Sequence, residues 1–114
     1  MISLNSQTGL MTAIANDIDN DMVFAQQVYG YAKEDDVVIG ISTSGNSKNV
    51  VNAIRLAEDL NLISIVLTGK DGGALKSLAT VRICVPATET DKIQEYHMAI
   101  YHYLCAEVEK EIFG

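Results

Sequence analysis

Three short runs of apolar, mostly β-branched residues divide the chain, at residues 37–42, 63–67 and 81–85. Their apolar character is nearly continuous, which is typical of parallel strands that helices cover on both faces. The segments around them repeat apolar residues three or four positions apart, as amphipathic helices do. The alternation of the two patterns predicts an α/β fold, a parallel sheet flanked by helices.

Two helices follow from this spacing. After Ser47 an apolar helical face is formed by Val50, Ile54, Ala57 and Leu60. An earlier helix is predicted through Val23, Phe24, Val28 and Tyr31. Asn20 or Asp21 is expected to cap the start of that earlier helix.

A third and longer helix is predicted from residue 90 to about residue 112, on apolar positions at helical spacing. Its stripe consists of Ile93, Tyr96, Ile100, Leu104 and Val108. Between residues 96 and 106 further apolar residues widen the stripe around almost the whole helix. A domain of this size can hardly bury such a helix on every side, so we expect the chain to oligomerise through it.

The composition limits the class of protein. A chain of 114 residues with 48% hydrophobic residues and one proline is expected to form a single folded domain over residues 1–114. A net charge of −7 argues against nucleic acid as a main partner, and no basic stripe is present to hold an anionic membrane. Without a signal-like or membrane-spanning run, a cytoplasmic protein is expected. Cys84 and Cys105 lie in apolar surroundings and are predicted to be buried free thiols.

The richest candidate chemistry follows the first apolar run, in the sequence Gly40-Ile41-Ser42-Thr43-Ser44-Gly45-Asn46-Ser47. We call residues 42–47 the serine turn. A strand that runs through such a turn into a helix presents backbone N–H groups and the positive end of the helix dipole to an anion. The turn contains no lysine, unlike the phosphate loop of nucleotide hydrolases, so a phosphate monoester on a small molecule is the expected ligand. The alternative is that Asn46 or Ser47 merely caps the helix.

Two other segments are weaker candidates. The acidic run at residues 17–21 lacks the glycine and glutamate of a calcium loop, although Asn16 and Asp17 could hydrogen-bond a polyhydroxyl ligand. The loop at residues 68–73 is predicted to be structural, because it has the glycines of a tight turn but no complete nucleotide motif.

Both histidines lie on the last predicted helix. Gln94 and His102 are separated by about 80° around that helix and about 12 Å along it, which is a long reach for two ligands of one metal. His97 points about 140° away from His102, so the two are not expected to meet in one chain. A histidine on an apolar helix face is more often packed than functional, and the role of His97 stays open.

The serine turn, the segment Leu67-Thr68-Gly69-Lys70-Asp71-Gly72-Gly73, and Ile93-Gln94-Glu95-Tyr96-His97 with His102 occur in one characteristic order. In this order they resemble bacterial phosphoheptose isomerases, which belong to the sugar isomerase (SIS) domain family. The resemblance extends to residues 15–17 and 23–28 and so covers essentially the whole chain. It implies a flavodoxin-like three-layer sandwich.

The resemblance also implies a reaction and a set of roles. Sedoheptulose 7-phosphate and glycero-manno-heptose 7-phosphate would be interconverted through an enediol, for heptose and lipopolysaccharide synthesis, in a cytoplasmic homotetramer. Phosphate would be bound by Ser42, Thr43, Ser44 and Ser47, and sugar by Asn16, Asp17 and Gln94. His102 would act in acid–base catalysis, and Gln94 and His102 would be zinc ligands in zinc-containing members.

The sequence also departs from that family. The family's N-terminal helices and first strand, with its catalytic glutamate and the other two metal ligands, would lie upstream of Ile2. We therefore expect this chain, as the C-terminal part of a full domain, to be inactive alone. Two alternatives remain. One is a non-catalytic SIS module that binds phosphosugars or another protein, of the type that associates with a replication initiator; the other is a structural oligomerisation domain.

Overall fold

The structure is a computed structural model that describes residues 3–4 and 20–114. A short 3₁₀ helix at Asn20–Met22 leads into the helix α1 at Val23–Tyr31. The remaining elements are β1 at Val37–Ile41, α2 at Lys48–Asp59, β2 at Ile63–Thr68, a 3₁₀ helix at Ala74–Ser77, β3 at Val81–Cys84 and α3 at Thr90–Phe113. The three predicted strands and the long last helix are confirmed to within one residue at each end.

The three strands form one parallel sheet in the order β1-β2-β3. Val37 pairs with Ile63, so β1 and β2 begin in register, whereas Val81 pairs with Ile65, so β3 begins opposite the third residue of β2. In a parallel sheet all strands end at the same edge, where ligands of such folds bind. The serine turn, the loop after β2 and the segment that leads into α3 all begin at this edge.

The core lies on one face of the sheet. Its central cluster consists of Val51, Ile54, Val66 and Leu75, from α2, β2 and the second 3₁₀ helix. Gly40 lets α2 approach β1 closely, since a Cβ there would lie 3.0 Å from Val50 and 3.1 Å from Ile54. The helix α1 packs in turn on α2. Both connections between strands therefore cover the same face.

On the opposite face the described residues leave apolar side chains uncovered. Between 36% and 51% of the surface of each is exposed: Val37, Ile39, Ile41, Ile63 and Val81. The predicted architecture, a parallel sheet flanked by helices, is confirmed, although these side chains stay exposed within the described ranges. The physical reason is the path of the chain, because α2 and the second 3₁₀ helix return on one side. The helix α3 also contacts β2.

Three local predictions are wrong. The residue that precedes α1 is Met22, and it makes no side-chain cap, because the 3₁₀ turn at Asn20–Met22 takes the place of a capping residue. Cys84 and Cys105 are free but exposed rather than buried. Cys84 lies on the edge strand β3, and Cys105 lies in the part of α3 beyond its contact with the sheet.

A polar network closes the opposite edge of the sheet. The Ser64 hydroxyl donates to the Glu58 carboxylate at 2.6 Å, and the Thr80 hydroxyl donates to the same oxygen at 3.0 Å. The Thr80 amide donates to the Ser64 hydroxyl at 3.1 Å. These bonds join the end of α2 to the starts of two strands, and they satisfy the fully buried Ser64.

The helix α3 buries few of its side chains. Only Ile93 and His97 are buried among its 24 residues. Large apolar side chains are exposed along the rest of it: Tyr96, Met98, Tyr103, Val108, Ile112 and Phe113. Within the ranges that the structure covers, no helix combines the length and the hydropathy needed to cross a membrane.

Candidate functional site

The serine turn begins where β1 ends. The Ser42 amide donates to the Leu67 carbonyl at 3.0 Å, which extends the pairing of β1 with β2 by one residue. The chain then reverses through Gly45, whose φ of +74° is readily adopted only by glycine, and enters α2 at Lys48. Ser42 is buried, whereas Ser47 is exposed at the mouth of the turn.

The hydroxyl groups of the turn are organised among themselves. Ser42 Oγ accepts a hydrogen bond from the Gly45 amide at 3.1 Å and lies 2.9 Å from Ser47 Oγ. Ser44 Oγ accepts one from the Asn46 amide at 3.1 Å. Both serines thus hold the backbone of the turn in shape. Among the described residues, the amides of Lys48 and Asn49 at the start of α2 have no hydrogen-bond partner.

Neither candidate capping residue caps α2 with its side chain. Ser47 is the residue that precedes the helix, but its hydroxyl makes no bond to the amides of the first turn. Asn46 Oδ1 instead accepts a hydrogen bond from the Ala74 amide at 2.8 Å, across the site. The capping alternative therefore does not account for Asn46 and Ser47. In the first turn of α2 a side chain bonds the Val50 amide, which donates to Asn49 Oδ1 at 2.8 Å.

The loop after β2 supports the serine turn through its backbone. The Gly69 amide donates to the Thr43 carbonyl at 3.0 Å, and the Leu75 amide donates to the Gly45 carbonyl at 3.1 Å. The two segments touch so closely that a Cβ on Gly45 would lie 2.0 Å from the Gly72 carbonyl oxygen. The structural interpretation of residues 68–73 is in agreement with this arrangement.

The helix α3 meets the same edge of the sheet. Ile93 fills the space above Gly69, where a Cβ would lie only 2.4 Å from Ile93 Cδ1. His97 Nε2 lies 2.8 Å from the Thr68 carbonyl oxygen. Sequence reasoning left the role of His97 open. The apolar helix face on which His97 lies indicated that the side chain is buried, but it could not indicate the bonding partner.

The predicted ligands Gln94 and His102 are both exposed on α3. In the parts of the chain with described coordinates, no three His, Cys, Asp or Glu residues are grouped so that they could hold a metal ion. Zinc normally requires four ligands, so the residues described here do not by themselves fit a zinc site. Asn16 and Asp17 lie outside the described residues.

Comparison with known proteins places this site in a family. A family model for the SIS domain matches residues 7–106. The phosphoheptose isomerase of Citrifermentans bemidjiense is 47% identical over 112 residues, which are 98% of this chain and 58% of that protein. That of Helicobacter pylori strain HPAG1 is 48% identical over 96% of this chain and 57% of its own length. The chain thus spans less than two thirds of the curated relatives it matches.

Two solved structures resemble this one. A phosphoheptose isomerase from Neisseria gonorrhoeae superposes with a TM-score of 0.89 at 40% identity, covering 92% of this chain and 60% of that one. One from Francisella tularensis superposes with a TM-score of 0.92 at 36% identity, covering 96% and 59%. The match of the family model and the shared sheet lead to one conclusion: the chain belongs to the SIS domain family.

Proposed function

We propose that this chain forms the phosphate-binding and C-terminal helical part of a phosphoheptose isomerase. The enzyme would interconvert sedoheptulose 7-phosphate and glycero-manno-heptose 7-phosphate. The similarity to phosphoheptose isomerases at 44–48% identity supports the reaction. The observation that carries the proposal is the start of α2 behind the serine turn, where the amides of Lys48 and Asn49 have no hydrogen-bond partner among the described residues and can donate to an anion.

In this proposal the ligand is held from two sides. Phosphate binds the amides at the start of α2 and the hydroxyl groups of Ser42, Thr43, Ser44 and Ser47. Ser42 and Ser47 already lie within hydrogen-bond distance of each other, so little reorganisation is needed to surround a phosphate oxygen. The sugar hydroxyls are assigned to Asn16, Asp17 and Gln94.

Aldose–ketose isomerisation moves a proton between two neighbouring carbons and two oxygens of the sugar. His102 is assigned as the group that exchanges a proton with the sugar, since an imidazole can both accept and donate a proton near neutral pH. The carboxylate base is assigned to the part of the relatives that this chain does not match, about two fifths of their length. For this reason we propose that the 114-residue chain is inactive alone.

Zinc is proposed only for a more complete assembly. Gln94 and His102 would be this chain's two ligands, and further ligands would have to come from outside the described residues.

The unusual exposure of α3 supports self-association. Tyr103 is 64% exposed, Ile112 is 66% exposed and Phe113 is 83% exposed, which is far more apolar surface than one solvated helix normally presents. We propose a homotetramer assembled through α3, located in the cytoplasm.

A non-catalytic phosphosugar-binding or protein-interaction module is the second candidate. It is favoured by the absence, among the residues with described positions, of a three-residue metal cluster. Such a module would bind phosphosugar through the same serine turn without turnover.

The experiment that tests the proposal is an NMR titration of the labelled chain with sedoheptulose 7-phosphate and, separately, with sedoheptulose. We expect amide shifts at residues 42–50 with the phosphorylated sugar only. Ser47→Ala should weaken binding about tenfold, the effect of one hydrogen bond to a charged group. Ser77→Ala is the matched control, because Ser77 is exposed and bonds only the Ala74 carbonyl.

The outcomes separate the candidates. No shift with either sugar would overturn the phosphate site and with it both candidates. Turnover by the 114-residue chain would overturn the proposal that it is inactive alone. An isomerase assay of a chain of the relatives' full length, which contains the same serine turn, decides between the enzyme and the binding module.

A further inference from the structure

The helix α3 is anchored to the sheet only near its beginning. Its two buried residues, Ile93 and His97, lie one turn apart in the first third of the helix. Ile93 provides an apolar contact over Gly69. His97 provides a directional bond from α3 to the sheet, with Nε2 at 2.8 Å from the Thr68 carbonyl oxygen.

The hydrogen-bond geometry assigns the proton on this ring. A carbonyl oxygen can only accept, so Nε2 must carry a hydrogen. Nδ1 is buried and has no hydrogen-bond partner among the residues that the structure describes, so a hydrogen there would bury an unsatisfied donor on a charged ring. The neutral Nε2–H tautomer is therefore the one that this environment accommodates.

The hydrogen bond from His97 reaches the end of β2, where the loop that supports the serine turn begins. Thr68 is the last residue of β2, and its carbonyl oxygen also accepts from the Val85 amide at 3.0 Å, so both lone pairs are used. The next residue, Gly69, donates to the Thr43 carbonyl inside the serine turn. Only one peptide unit separates the histidine from the proposed phosphate site.

We infer that His97 is a positioning residue, which sets α3 in a fixed place relative to the serine turn. Gln94 lies on the turn of α3 before it and His102 lies beyond it, and both are exposed and make no anchoring contact of their own. Through His97 these two side chains keep their place relative to a phosphate in the turn. The roles of Gln94 and His102 rest on the proposed function, whereas the coupling of α3 to the turn does not.

The test compares two substitutions with a neighbour as control. His97→Gln keeps an N–H donor that can reach the Thr68 carbonyl, and His97→Leu removes it at similar bulk. Met98→Leu is the control, because Met98 is the next residue and is 54% exposed. Amide hydrogen exchange of the 114-residue chain is measured without ligand, and the imidazole nitrogens of wild type are observed by NMR.

We expect His97→Leu to speed amide exchange about tenfold in residues 93–100, because the loss of one buried hydrogen bond shifts the equilibrium between closed and open helix by about that factor. Exchange of the Gly69 amide should rise about threefold or more, since the coupling reaches the serine turn. His97→Gln should restore both rates to within about threefold of wild type, and Met98→Leu should change neither. The nitrogen spectrum should show the neutral Nε2–H tautomer.

Three results would overturn the inference. They are faster exchange confined to α3, a glutamine variant no better than leucine, and a ring protonated on Nδ1. The last observation needs no variant, so it decides even if His97→Leu does not fold.

A titration with inorganic phosphate separates this inference from the proposed function. In wild type, phosphate should shift both the serine-turn amides and the side-chain amide of Gln94. In His97→Leu the turn should bind phosphate within about threefold of wild type while the Gln94 response disappears. A wild-type chain that binds no phosphate would overturn the proposed site, but the ligand-free exchange rates would still decide the role of His97.

Discussion

Gly45→Ala tests the serine turn most directly. Gly45 has φ of +74°, and an added Cβ would lie 2.0 Å from the Gly72 carbonyl oxygen and 2.5 Å from the Gly72 carbonyl carbon. Neither atom belongs to a flexible side chain. The methyl group can be accommodated only if the serine turn and the loop after β2 separate.

The magnitude follows from two terms. An alanine in the left-handed region loses about 1–2 kcal/mol. Real Cβ atoms essentially never approach within 3.0 Å, so the loop must also retreat by about 1 Å, which lengthens the bond from the Leu75 amide to the Gly45 carbonyl. Weakening that bond and its neighbour from Gly69 to Thr43 removes about 0.5–1.5 kcal/mol each. We expect a loss of about 2–5 kcal/mol in the free energy of unfolding.

The assay is urea unfolding followed by far-ultraviolet circular dichroism, paired with a titration of inorganic phosphate. The midpoint should fall with an unchanged slope, and phosphate affinity should fall at least about tenfold because the amides at the start of α2 lose their alignment.

Gly30→Ala is the matched control. Gly30 lies in α1, and an added Cβ there would meet no atom within 4 Å. That variant should be as stable as wild type or gain up to about 1 kcal/mol. If Gly45→Ala were as stable as Gly30→Ala and bound phosphate equally well, the close packing of the two loops would not matter and our reasoning would be refuted.

Gly69→Ala should destabilise by about 1–3 kcal/mol in the same urea assay, since its methyl group would lie 2.4–2.8 Å from three carbons of the fully buried Ile93. Adding Ile93→Val should recover part of the loss, and a double variant no better than the single one would contradict this packing account. Ser64→Ala should cost about 1–3 kcal/mol, because it removes the donor to the Glu58 carboxylate; unchanged stability would show that water replaces the bond. In a chain of the relatives' full length, His102→Ala should weaken zinc binding at least about tenfold by isothermal titration calorimetry; unaltered binding would exclude His102 as a ligand.

Much of the fold was predictable because its signals are local. The strands β1, β2 and β3 are runs of β-branched residues, and α3 is a long apolar repeat, so each is visible within one window of sequence. The local form of the serine turn was likewise predictable, since it depends on a strand, a turn and a helix that are adjacent in the chain.

The errors have one physical source. Cys84 was expected to be buried because its neighbours are apolar, yet it is exposed at the edge of the sheet. The cap of α1 was assigned from residue type, but a 3₁₀ turn replaced it. Burial and capping depend on which other segment arrives at a position, and no local pattern records that.

The sequence by itself thus determined the elements, their order and the chemical character of the turn, because backbone sterics and hydrophobic period act over a few residues. Only the tertiary structure decided how the turn is supported. The bond from His97 to the Thr68 carbonyl joins residues 29 positions apart, and the contact of Gly45 with Gly72 joins two separate loops. Such partners are chosen by the path of the whole chain across the sheet, which also leaves one apolar face uncovered by the described residues.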